Sequence, residues 1–175
     1  MAGLLPTAAQ GCNNPASAKK TAKTLMISTP TPEFEFCQGQ KSDKKAIKRF
    51  YRQHSYSAGF MGLDSCYLVK DKQQIIACVI HSRLVVENQQ SLLHALVVAP
   101  GYRRQAIASS LLDYSCAFHP LTVCFADKQL APLYLSSRFT PASQHQLFPE
   151  LAARYTQYIK KKPELTIFMR DSRNG

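Results

Sequence analysis

Apolar and polar positions change their period several times along this chain, and each change marks an element. FEFCQG (34–39) alternates and is aromatic, which predicts a short strand. Ile47, Phe50, Tyr51 and His54 then recur at helical spacing, with Ser42 or Asp43 placed to cap a helix over about 43–54. Its other face carries Lys44, Lys45, Lys48 and Arg52. HSYSAGFMGLD (54–64) reads as a loop or short helix. CYLVKD (66–71), QIIACVIHSRLVV (74–86) and SLLHALVVA (91–99) are rich in β-branched and apolar residues. Only KDKQ and ENQQ separate them, so three antiparallel strands in a meander follow. Ile107, Ala108, Leu111, Leu112 and Ser115 predict a helix over about 103–117. LTVCFA (121–126) reads as a buried strand, parallel to its neighbour through that helix. A helix near 130–137 with Pro132 in its first turn, an amphipathic helix over 148–161 and a last strand, LTIFMRD (165–171), complete the order.

This order predicts an α+β fold: a mixed, mostly antiparallel central sheet flanked by helices, with one βαβ crossover near the middle. Ligands of such sheets sit at the carboxyl end of the crossover strand. A length of 175 residues fits one domain, over 33–175. Residues 1–32 are rich in Ala, Thr, Pro, Asn and Lys and predict a disordered tail, with Met26 as a second candidate start. No apolar run approaches the roughly 18 residues of a membrane span. The first residues lack the charged and apolar regions of a secretory signal. The six cysteines form no CxxC pair and no histidine cluster accompanies them, so no metal site is expected. Three of them lie in apolar strands, as reduced thiols do. A cytoplasmic protein, monomer or homodimer, is the expectation.

Net charge is +11 and sits at the ends of the chain. Residues 41–54 hold six Lys/Arg against Asp43 alone, and 154–173 hold six against Glu164 and Asp171. Such ends attract anions, or they simply keep the surface solvated. Nucleic acid is the lesser reading: the charge allows it, but no aromatic platform is interleaved with the cations.

The stretch PGYRRQAIASS (100–110) joins the crossover strand to its helix. A helix start offers unpaired N–H groups and the positive end of a dipole, which suits pyrophosphate. Arg103 and Arg104 add cationic donors. The stretch holds no glycine between Arg103 and Ala108. A first helical turn has negative φ, so alanine at 106 is expected to be tolerated there.

Leu96-Val97-Val98-Ala99-Pro100-Gly101-Tyr102-Arg103-Arg104-Gln105-Ala106-Ile107-Ala108 resembles the L-x-V-x-P-x-Y-R-x-x-G-x-G/A signature of the GNAT family of N-acetyltransferases. The family's first glycine is Ala106 here. Downstream, Asp127 to Phe139 resembles the family's N-x-x-A-x-x-x-Y-x-x-x-G-F, keeping Tyr134 and Phe139, with Asp127 for Asn, Leu130 for Ala and Arg138 for Gly. The resemblance covers 34–140 well. It implies acetyl-CoA as co-substrate. Leu96, Val97 and Val98 would hold the pantetheine and thioester, and Arg103, Arg104, Gln105, Ala106, Ile107, Ala108 and Ser109 the pyrophosphate. Asp127 would lie along the cofactor path, and Arg138 is a further candidate for a phosphate.

The reaction implied is direct attack of a primary amine on the thioester. Tyr134 is the candidate acid for the leaving thiolate. Water-mediated proton exit is the default reading; His94 is the candidate side-chain base, sharing a strand face with Leu92, Leu96 and Val98 by simple alternation, with a structural histidine the other reading of that residue. His81 is a weaker candidate. The family's acceptor loops correspond to about 54–64 and 140–164. A basic surface disfavours polyamines and leaves a small amino compound, an acidic peptide or a nucleic-acid amine. The departures at Ala106, Asp127 and Arg138 keep open a second reading, an acyl-CoA-binding module with weakened catalysis.

Overall fold

A computed structural model describes residues 33–56, 64–83 and 90–174. The expected tail (1–32), most of the 54–64 loop (57–63), and the end of the third expected strand with most of ENQQ (84–89) lie outside the described residues.

The elements are β1 (Glu35–Gln38), α1 (Lys44–Gln53), β2 (Asp64–Asp71), β3 (Gln74–Arg83), β4 (Gln90–Val98), α2 (Ile107–Cys116), β5 (Leu121–Asp127), α3 (Ala131–Ser136), β6 (Thr140–Ala142), α4 (Pro149–Ile159) and β7 (Leu165–Asp171). The strands form one sheet in the order β1-β2-β3-β4-β5-β7-β6. All neighbours are antiparallel except β4 and β5, joined through α2 as the crossover requires. The mixed, mostly antiparallel α+β sheet is therefore present. β6 is the strand that the hydrophobic pattern missed. It has three residues, one of them Pro141, which cannot donate to a ladder and is tolerated at an edge.

Helices cover both faces, which is why the central strands read as continuous apolar runs. On one face Tyr67, Val69, Ala77, Val79 and Leu93 pack with Ile107, Leu111 and Leu112 of α2 and Tyr134 of α3. On the other, Ile47, Phe50 and Tyr51 of α1 pack on Cys66, Leu68, Cys78 and Ile80. Further along, Leu151 of α4 packs on Leu92, Val123 and Ile167. Each fully buried leucine, such as Leu111 and Leu112, contributes about 1.5–3 kcal/mol.

Asp43 occupies the cap position of α1, but its side chain caps nothing in that helix. Its carboxylate accepts from the Gln40 N–H at 2.8 Å, closing a preceding 3-10 turn, and pairs with Lys70 at 3.6 Å. Cys37, Cys66, Cys78, Cys116 and Cys124 are free thiols, with the Cys66 and Cys78 sulfurs 3.1 Å apart. No helix among the described residues is long and apolar enough to cross a membrane.

Two irregularities shape the middle of the sheet. The β4–β5 ladder runs only from Gln90–Leu121 to Leu93–Cys124. From His94 to Val98, β4 has no partner on that side among the described residues. At the same place β4 bulges against β3: Ile80 faces His94 but Cys78 faces Val97, so two residues, Ala95 and Leu96, oppose Val79 alone. Ala95 takes φ +58°, the left-handed conformation of a bulge residue.

Candidate active site

The opening between β4 and β5 is built from these two irregularities. The bulge is pinned from the α1 side, where the Tyr51 hydroxyl donates to the Ala95 carbonyl at 2.9 Å. Beyond it Leu96, Val97 and Val98 are half-buried, and the strand ends where Ala99 N–H bonds Ile76 O at 2.8 Å. An unpaired strand edge has backbone groups left to satisfy, the alternate ones that turn away from β3 toward the gap.

The turn after β4 is not the start of a helix. Pro100–Tyr102 form a 3-10 turn, and the Tyr102 hydroxyl is tied to Asp71 at 2.8 Å. Arg103 is extended, and its Nε donates to Val98 O at 3.2 Å. Arg104 and Ala106 take φ +61° and +57°. Helix α2 begins only at Ile107, not near Arg103. Two left-handed residues cannot continue a right-handed turn, and each costs a residue with a Cβ about 1–2 kcal/mol. The expectation that Ala106 sits at negative φ is thus overturned: this is a position where glycine is free and alanine is strained. The Ala106 carbonyl accepts from Ser109 Oγ (2.8 Å) and Ser110 N–H (3.0 Å), while Gln105 reaches back to Gly101 O at 3.3 Å. No side chain caps the start of α2 and its first turn holds no acid. Its first N–H groups, like those of any helix, have no intrahelical acceptor. The Ile107 side chain goes to the core, so only its backbone serves this turn, while Ala108 and Ser109 are half-buried.

Tyr134 and His94 flank the opening on opposite faces of the sheet. Tyr134 lies with α2; its ring stacks on Phe168 at 5.2 Å and meets Phe139 edge-on at 5.4 Å. Burial, and the Cys124 thiol beside it, push its phenol above the usual range. His94 faces Ile80 across the ladder and so lies on the α1 face. It does not share a face with Leu96 and Val98, because the bulge at Ala95 reverses the alternation; Leu96 and Val98 pack toward α2. His94 Nε2 lies 2.9 Å from Ser82 Oγ, which donates to Asp64 Oδ1 at 2.7 Å. Burial lowers the pKa of His94; Asp64 opposes the shift and Arg154 adds to it.

His81 is fully buried and far more constrained. Its Nδ1 and Nε2 lie 3.2 and 3.1 Å from Ser91 Oγ and Ser115 Oγ. Its ring stacks on His119 at 4.1 Å, and His119 Nε2 is 3.0 Å from the Tyr67 hydroxyl. A cleft of about 290 Å3 beside α1 is lined by Arg49, His54, Gln73 and Gln74.

Residues 27–123 match the acetyltransferase (GNAT) family. The chain belongs to the GNAT acetyltransferase family. Its fold is that of solved GNAT enzymes. N-acetylglutamate synthase from Neisseria gonorrhoeae, complexed with coenzyme A and N-acetyl-glutamate, superposes with a TM-score of 0.60 at 13% identity, covering 79% of this chain and 35% of that one. This chain thus spans about a third of that protein's length. NAA60 from Arabidopsis thaliana, in complex with acetyl-CoA, gives 0.58 at 13% identity, covering 82% and 100%. The ribosomal-protein-S18-alanine N-acetyltransferase from Escherichia coli gives 0.57 at 12% identity, covering 79% and 94%. No curated protein matches the chain in sequence.

The two glycines that this GNAT chain lacks stand where glycine has a physical use. Arg138 takes φ +63° just after α3, and Phe139 N–H bonds Tyr134 O at 3.0 Å across it, as a helix end of this type requires. The Arg138 guanidinium is 3.4 Å from Asp113, whose carboxylate also takes Arg170 at 2.6 Å. Its partner in the structure is thus a carboxylate. Asp127 accepts from the Gln129 N–H at 2.8 Å and caps the 3-10 turn Lys128–Leu130. The sequence reading missed the Ala95 bulge, the Tyr51 clamp and the Asp64–Ser82 pair. A glycine would have signalled the bulge, but alanine gives no such signal.

Proposed function

We propose that this GNAT protein transfers the acetyl group of acetyl-CoA to a primary amine by direct attack. The observation that carries the reading is the opening past Leu93 and Cys124, with an unpaired strand edge along it, an uncapped helix start beyond it and a titratable side chain on each face. The donor set fits the co-substrate. Leu96–Val98 offer backbone groups to the pantetheine and the thioester carbonyl, where a donor would stabilise developing negative charge. Arg103, Arg104 and the amides of Ile107–Ser109 offer cations and N–H groups to the pyrophosphate, with no acid in that turn to oppose it.

In this reading the amine nitrogen bonds to the acetyl carbon and the carbon–sulfur bond breaks. His94 takes the proton that the amine gives up, and Tyr134 protonates the leaving thiolate. A phenol held above its usual pKa stays protonated until sulfur needs the proton. The two groups work from opposite sides of the sheet, so neither blocks the other. The acceptor approaches from the α1 and α4 face, where exposed Lys44, Lys45, Lys48, Arg49 and Arg52 favour a neutral or acidic molecule over a polyamine. Relatives of this fold include enzymes named for N-acetylglutamate and for an alanine of a ribosomal protein, and both classes suit this face.

Thermal unfolding with acetyl-CoA tests the first half. A ligand at about a hundred times its Kd adds roughly 2.7 kcal/mol, a rise of several degrees. Arg104→Glu is expected to abolish the rise, and no rise in the wild type sinks the reading. Thiol release with glycinamide, glutamate and an alanine-initiated peptide tests the second half. A thermal shift without thiol release from any of them favours the alternative, an acyl-CoA-binding module, to which strained Ala106 and Arg138 lend support.

A further inference from the structure

We propose that Asp64 and Ser82 are positioning residues that hold His94 in the one tautomer able to act as base. This rests on the reading of His94 above. A carboxylate only accepts, and a serine hydroxyl has one proton to give. Ser82 gives it to Asp64 at 2.7 Å, so the contact of 2.9 Å between Ser82 Oγ and His94 Nε2 has to be made by the Nε2 proton. The ring is then neutral with Nε2–H, and Nδ1 keeps its lone pair. Among the described residues no hydrogen bond to Nδ1 is present.

The three residues come from three adjacent strands. Asp64 opens β2, and its register partner on β3 is Ser82; His94 lies on β4 beside Ile80 of β3. His94 is also the first residue of β4 beyond its pairing with β5, one residue before the bulge that Tyr51 clamps. The relay therefore ends at the opening itself. When an amine loses its proton to Nδ1, the ring becomes a cation that still donates through Nε2 to Ser82, and Ser82 still donates to Asp64. The negative charge two hydrogen bonds away stabilises the cation without a proton leaving the relay. Among the described residues, the charged groups acting on the ring are Asp64 from β2, which favours the cation, and Arg154 from α4, which opposes it and is itself paired with Glu150 at 2.8 Å.

Two measurements on the full chain test this. The first needs no acceptor. Nitrogen NMR of the histidine rings, with His94 assigned by its loss in His94→Gln, is expected to show the Nε2–H tautomer, and Ser82→Ala is expected to turn it into a mixture. A Nδ1–H ring in the wild type, or no change in Ser82→Ala, overturns the proposal. The second is the pH profile of acetyl transfer to glycinamide. Ser82→Ala and Asp64→Asn are expected to lower kcat about tenfold or more, with KM for acetyl-CoA unchanged, and to move the acid limb to lower pH. Ser82→Thr, which keeps the hydroxyl, is expected to restore both. If His94→Gln collapses kcat while Ser82→Ala and Asp64→Asn leave kcat and limb in place, the relay falls and the base stands. If His94→Gln itself changes neither, the base reading falls, and the relay with it.

Discussion

His81 and His94 stand on adjacent strands of one sheet, in similar apolar runs, yet their surroundings differ in kind. Both ring nitrogens of His81 are spent on hydroxyls, and its face is covered by the parallel ring of His119. It sits toward the closed end of β4, where Ser91 is still paired with β5. His94 spends one nitrogen on a hydroxyl backed by a carboxylate and lies where that pairing stops. The first arrangement suits a group that keeps one protonation state. The second suits a group that changes it. What separates them is the partner of the partner: a serine that ends on another neutral group, or one that ends on a charge.

The largest expected effect is at His94. His94→Gln is expected to cut kcat by between about 10² and 10⁴ while the melting temperature moves little, since the side chain is not fully buried and glutamine keeps an N–H donor. Normal turnover in that variant would erase the distinction. His81→Ala should do the reverse. It strands the Ser91 and Ser115 hydroxyls and opens a void, so chemical denaturation should show a loss of about 3 kcal/mol, with turnover per folded molecule unchanged.

Acid sharpens the contrast next. Burial holds His81 well below the ordinary histidine range, and burial with Arg83 nearby holds His119 down to about 4. Unfolded histidine titrates near 6.5, so between about pH 6.5 and 4 the unfolded chain binds protons that the folded chain refuses. Stability therefore falls as pH falls through that window, by at most about 1.4 kcal/mol per pH unit for each histidine. Denaturant midpoints from pH 7 to 4.5 should show the slope, and His119→Phe should flatten it. A flat wild-type profile would mean that the pair takes up protons as readily when folded as when unfolded. The smallest effect is expected from Ser91→Ala, about 1 kcal/mol of stability and no change in the pH dependence of turnover.

Much of this fold is legible in the sequence because each central strand is apolar on both faces and each helix has one apolar stripe. β6 is not legible, since three residues with a proline inside carry no period. The site was legible in its chain position and not in its geometry. PGYRRQAIASS does link the crossover strand to α2, but the left-handed turns at Arg104 and Ala106 occur in residues that usually avoid them. Tertiary packing on both sides, through Tyr102 with Asp71 and Ile107 in the core, over-rides the local preference. The face of His94 was misread for a related reason. Alternation holds only while a strand is regular, and nothing in HALVV announces that Ala95 breaks it. Asp64 and Ser82 are invisible as partners of His94 until the register of three strands is known.

The bulge at Ala95 makes β4 two strands spliced end to end. Before it, even-numbered side chains such as Leu92 and His94 belong to the α1 and α4 face; after it, Leu96 and Val98 belong to α2. On the proposed reading one strand thus addresses two molecules, one with its side chains and the other with its backbone. A lineage can rewrite the residues up to 94 to accept a different amine while leaving intact the stretch that follows. Divergence in specificity then needs no compensating change in how the donor is held, and the splice point is the residue that such a lineage is least free to change.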